Sequence, residues 1–134
     1  MKLGLDIHGV IDLDPARFIE LAREVKEDGG IVYILTGKPI NDSLKDLNSC
    51  GFSKDLYNEI FSIQDSLDTL GVEVLGLDKY GRNIYPENLW NSAKAKFCYA
   101  HKINLHIDDS IEYGKYFITP FAYFDGSEYY IQGF

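Results

Sequence analysis

Hydrophobic positions along this chain alternate between two periods. Leu3, Leu5 and Ile7 recur every second residue, so residues 2–7 read as a strand that carries Asp6 at its carboxyl end. Residues 8–13 read as a loop or tight turn. Asp14-Pro15 then marks a helix start, with an aspartate N-cap and proline at the first helical position. Phe18, Leu21, Ala22 and Val25 follow at helical spacing, and Gly29-Gly30 closes the helix. Ile31–Leu35 is an almost unbroken apolar run, the signature of a buried parallel strand, and it ends at Thr36-Gly37.

The same alternation continues. Ile40, Leu44 and Leu47 line a short helix ended by Gly51, and Glu59–Ile63 reads as a third strand. A short helix over Ser66–Leu70 ends at Gly71. Residues 72–86 read as irregular or hairpin structure: Val72–Leu75 is strand-like and Gly81 supplies a turn. Pro86–His101 is helical, and Ser92 offers a second N-cap that would put Lys94 in a first turn. Ile103–Ile107 forms a fourth strand, ending in Asp108-Asp109. Tyr116–Thr119 is expected as a fifth. Phe121–Phe124 and Glu128–Ile131 flank Asp125-Gly126, a strong hairpin signal.

Strands alternating with helices predict an α/β fold. The expectation is one domain over residues 1–134: a Rossmann-like parallel sheet of about five strands, helices on both faces and a C-terminal β-hairpin. The net charge of −8 argues against a nucleic-acid partner bound through a broad basic surface. No run approaches membrane-spanning length and no signal-type apolar segment opens the chain, so a cytoplasmic protein is expected. Cys50 and Cys98 are far apart and read as buried free thiols, not a disulfide framework.

Right-handed crossovers bring the carboxyl ends of parallel strands to one edge, where α/β sheets bind ligands. Asp6, Thr36 and Asp108-Asp109 each follow an apolar strand and should converge there, with Lys94 joining from its helix. Grouped carboxylates repel one another unless a cation is present, and all-oxygen ligation suits Mg²⁺. With a lysine, a hydroxyl and backbone amides after Gly9, this set describes a phosphate site.

In these residues the chain resembles the haloacid dehalogenase (HAD) superfamily of phosphohydrolases and phosphotransferases. The first motif, a strand ending D-x-D-G-[TV], stands as Asp6-Ile7-His8-Gly9-Val10. The second, an apolar strand ending in Thr or Ser, is matched by Ile31–Thr36. The third, a lysine heading a later helix, is matched by Lys94 or, as the weaker choice, Lys96. The fourth, a strand ending D-D, is matched by Asp108-Asp109, and all four stand in the family's order.

The resemblance implies a Mg²⁺-dependent phosphatase. Asp6 would be the nucleophile, forming an aspartyl-phosphate. The backbone carbonyl of His8 would ligate Mg²⁺ beside Asp6 and Asp108 or Asp109. Thr36 would hydrogen-bond a phosphoryl oxygen, and Lys94 would neutralise charge. The departure is His8, an imidazole where the family's phosphatases usually carry the Asp that acts as acid and base; histidine can do either job. A second function follows from that departure: a catalytically silent protein that binds Mg²⁺ and phosphate and works through a partner. The family's cap domain has no room, since helix signals begin at Asp14 and residues 64–93 suffice only for a small flap. An open site implies a large phosphorylated substrate, or a partner that supplies the lid.

Plainer roles stand beside these. Asp6 and the Asp108-Asp109 pair are also turn or helix caps by type, and Lys94 is one of several helix lysines. His106, opposite in facing to Leu105 and Ile107, reads as a packed residue and not a catalytic one. The aromatic tail of Tyr123, Phe124, Tyr129, Tyr130 and Phe134 reads as core and sheet surface.

Overall fold

The computed structural model describes residues 1–132; the expectation for Phe134 lies outside them. In chain order the elements are β1 (Lys2–Leu5), α1 (Pro15–Glu27), β2 (Ile31–Thr36), α2 (Ile40–Ser49), β3 (Glu59–Ser62) and α3 (Ile63–Thr69). There follow β4 (Gly76–Leu77), β5 (Asn83–Ile84), α4 (Glu87–His101), β6 (Leu105–Asp108), β7 (Phe121–Phe124) and β8 (Tyr129–Ile131). The main sheet has the order β3-β2-β1-β6-β7-β8. Its strands run parallel from β3 to β7, and β8 returns antiparallel as the hairpin. The α/β architecture read from the alternation is therefore the observed one.

The unbroken apolar run of β2 is explained by its position next to β1, with helices on both faces. Val32 and Ile34 join Leu3, Leu5, Phe18, Ala22 and Leu47 in one cluster, under α1 and α2. Tyr33 and Leu35 point the other way, to Ala95 and Cys98 of α4. This two-sided burial removes the polar alternation that an exposed strand would show. Asp14 caps α1 by accepting from the Arg17 amide. A third cluster joins Ile63 and Leu67 of α3 to Ala93 of α4 and to Tyr85, just after β5.

Three local expectations are corrected. Tyr116–Thr119 is not a strand. Residues Ile111–Tyr116 form 3₁₀ turns, and the fifth parallel strand is β7, so one segment is both sheet strand and hairpin arm. Pro120, which has no N–H to offer a ladder, precedes β7, and its carbonyl accepts from the His106 amide. Second, α4 is one continuous helix, with Ser92 buried in its interior and Lys94 well past its first turn. Third, Val72–Leu75 is not a strand. The hairpin in this region is β4 against β5, a separate two-stranded flap. Of the cysteines, Cys98 is buried and Cys50 only partly so.

Candidate active site

The site is built at the carboxyl edge of β1 and β6, the two adjacent central strands. Asp6 follows β1 and is still tied into the sheet, since its amide donates to Ile107 O at 3.1 Å. The chain then turns tightly through residues 7–11. Gly9 stands at φ +83°, and a Cβ there would collide with the Asp109 carboxylate. The Gly9 amide donates to Asp12 Oδ1 at 2.8 Å, which closes the turn. Gly9 is thus demanded twice, by backbone conformation and by the approach of Asp109.

Lys94 comes from the interior of α4. Its Nζ donates to Asp6 Oδ1 at 3.0 Å and to Asp108 Oδ2 at 2.7 Å, all three side chains being buried. Asp108 also accepts from His106 Nε2 at 2.8 Å through Oδ2 and from the Ser110 amide at 3.0 Å through Oδ1. Asp6, Asp108 and Asp109 each bring a carboxylate oxygen within 4.8 Å of the others. Lys96 is exposed, so Lys94 is the lysine of this cluster.

The charges order themselves by what touches them. Burial alone would lower the Lys94 pKa, but the charges of Asp108 and Asp6 outweigh it and hold the ammonium well above its usual value. Asp108 would be raised by burial, yet Lys94 and His106 drive it well below the carboxylate range. Asp6 goes the other way. Burial and then the charge of Asp108 push it up, and Lys94 does not compensate. Asp109 is raised too, by burial first and then by Asp108. His106 is lowered by burial in spite of Asp108, and because an ionised carboxylate only accepts, its Nε2 carries the proton in that pair.

The donor set fits a hard divalent cation. It is all oxygen, it carries three carboxylates against one ammonium, and Asp6 and Asp109 meet side chain to side chain. Such a contact requires a shared proton or a cation.

The other expected residues divide. His8 lines the same cleft as Asp6 and Lys94, but its Nε2 lies 2.7 Å from Asp46 Oδ2 in α2. An ionised carboxylate only accepts, so Nε2 carries the proton in this pair. Lys38 Nζ reaches the same Asp46 oxygen at 3.2 Å. Burial would raise Asp46, and the hydrogen bonds from His8 and Lys38 outweigh it and lower its pKa. Thr36 ends β2 as expected, but it is fully buried and its Oγ1 bonds the Ser43 hydroxyl at 3.2 Å, away from the cleft. Gly37, next in the chain, is the residue that lines the cleft there.

The cleft measures about 390 Å³. Trp90 and Tyr113 form one wall, and Trp90 Nε1 donates to the Tyr113 hydroxyl at 3.0 Å. Asp78, Arg82 and Asn83 of the flap form its outer rim. Sequence reasoning missed His106, Asp46 and this wall. For His106 the signal was available: residues i and i+2 of a strand share a face, so His106 had to lie on the side of Asp108. For Asp46, a surface-type residue late in a short helix, there was none.

Compared with protein-family models, with curated proteins and with solved structures, the chain matches none.

Proposed function

We propose that this protein is a HAD-like, Mg²⁺-dependent phosphohydrolase that works through an aspartyl-phosphate on Asp6. The observation that carries this reading is the buried ammonium of Lys94 shared by Asp6 and Asp108, with Asp109 beside them at the mouth of an open cleft. Three carboxylates and one lysine leave a charge deficit of the size a divalent cation fills.

Asp6, Asp108 and Asp109, with the backbone carbonyl of His8, would hold Mg²⁺. When bound, the ion would draw charge from the phosphoryl oxygens. Lys94 holds Asp6 by Oδ1, which leaves Oδ2 as the attacking oxygen. A bond forms from that oxygen to phosphorus as the bond to the leaving oxygen breaks. His8 is the cleft's acid and base. Asp46 holds its Nε2, so Nδ1 exchanges protons, giving one to the leaving oxygen and later taking one from the water that attacks phosphorus as the bond to Asp6 breaks and phosphate leaves. The substrate is a phosphate ester, and the open cleft suits one that extends beyond its reacting group. Among the described residues no helix is long and apolar enough to cross a membrane; we place the enzyme in the cytoplasm.

The test is turnover of an aryl phosphate with Mg²⁺, abolished in Asp6→Asn with the fold retained. No turnover with any divalent ion across about pH 5–9 sinks this reading. A second reading, a silent protein that binds Mg²⁺ and phosphate, is favoured by the inward turn of Thr36 onto Ser43. It predicts capture of beryllium fluoride with Mg²⁺ but no hydrolysis.

A further inference from the structure

Asp108 is held by more donors than any other carboxylate of the cluster, and they are unevenly spread. Oδ2 accepts from Lys94 at 2.7 Å and from His106 at 2.8 Å. Among the described residues Oδ1 accepts only from the Ser110 amide, at 3.0 Å. A carboxylate oxygen has two lone pairs. Oδ2 is therefore filled, and Oδ1 keeps one lone pair free.

His106 is built to hold its place. It is fully buried, and its ring lies parallel to that of Phe117 with centroids 5.6 Å apart. Its far side meets the backbone at Gly4, where an added Cβ would stand 2.7 Å from Nδ1. Nδ1 faces the Gly4 backbone and, among the described residues, meets no side-chain partner. One nitrogen is thus committed to Asp108, and the other is turned to the backbone of the neighbouring strand, away from the carboxylates.

We propose that His106 is a positioning residue that acts through Asp108. By donating from Nε2 it fills Asp108 Oδ2 together with Lys94, and so presents Oδ1 to a divalent cation held with Asp6 and Asp109. The proposal rests on the cation-binding part of the function proposed above and not on the phosphoryl transfer.

Two measurements test it. In the intact protein, long-range ¹H–¹⁵N spectra of the histidines should show His106 with its proton on Nε2 and Nδ1 bare. Mn²⁺ titration, followed by electron paramagnetic resonance, should then show affinity weakened about 10–100-fold in His106→Phe. His106→Gln, which keeps an N–H near the Nε2 position, should restore most of that loss. A merely structural role would move melting temperature in both variants without this split. A proton on Nδ1, an unchanged Mn²⁺ affinity in folded His106→Phe, or a wild-type protein that binds no Mn²⁺ overturns the proposal. If His106→Phe does not fold, the tautomer of the wild-type protein and the Mn²⁺ affinity of His106→Gln decide. Aryl phosphate turnover measured on the same samples separates the two readings. Mn²⁺ behaviour as expected without turnover leaves the positioning role standing and removes the phosphohydrolase.

Discussion

Lys94 donates to Asp6 across 3.0 Å although the two residues lie 88 positions apart. The contact joins the middle of α4 to the end of β1 and is buried on both sides. Removing one partner of such a pair leaves an uncompensated buried charge, which costs far more than the pair itself contributes. Lys94→Met should therefore destabilise the protein by about 3–5 kcal/mol in urea unfolding and, on the function proposed above, stop turnover. A loss below about 1 kcal/mol, the range of exposed pairs, would show that water reaches the cluster.

His8 and Asp46 form the second polar pair at the cleft. If His8 protonates the leaving oxygen, His8→Ala should slow alkyl phosphates by about 10²–10⁴-fold while sparing aryl phosphates, whose leaving groups need little help. Comparing the two substrate types on one preparation gives the answer. Equal losses would assign His8 to binding alone.

Asp46 also gives a pH signature. Its folded pKa is below the ordinary value of 3.8, so its ion pairs contribute stability above that value. The contribution fades as the pH falls through the lower, folded pKa. The gap in melting temperature between wild type and Asp46→Asn should close as the pH falls from about 5 toward about 3. The pair is partly exposed, so salt should narrow the gap as well. A gap that widens in acid would reverse the assignment.

Gly4 tests the packing around His106. Within a strand, alanine is ordinarily favoured over glycine by about 0.5–1 kcal/mol. Here the added Cβ would lie 2.7 Å from His106 Nδ1 and 3.3 Å from Leu35 Cδ1. Gly4→Ala should thus destabilise, by about 1–3 kcal/mol in chemical denaturation. A stabilised variant would mean that the imidazole is free to move.

Cys98 is the buried thiol among the site's neighbours. Burial pushes its pKa up to about 12. Under native conditions near about pH 8 it should resist thiol reagents, and it should react once the chain unfolds. Rapid labelling of Cys98 in the native state would point to opening of α4 from the sheet.

Much of this protein is decided by its sequence alone. The apolar run of β2 and the helical spacing of α1 follow from local pattern, because burial on both faces or on one stripe writes its own periodicity. The Asp125-Gly126 turn follows from backbone preference. Asp6, Asp108 and Asp109 were legible as a group because parallel topology sends strand ends to one edge. The tertiary structure alone decided the rest. It chose Lys94 over Lys96, since only the buried face of α4 meets Asp6 and Asp108. It kept α4 whole across Ser92, where packing of the helix outweighs a local capping preference. It moved the fifth strand from Tyr116–Thr119 to Phe121–Phe124, past Pro120. It turned Thr36 inward to Ser43, and it tied His8 to Asp46 and His106 to Asp108. Strand and helix are short-range choices, whereas the partner of a polar side chain depends on residues brought together from distant parts of the chain.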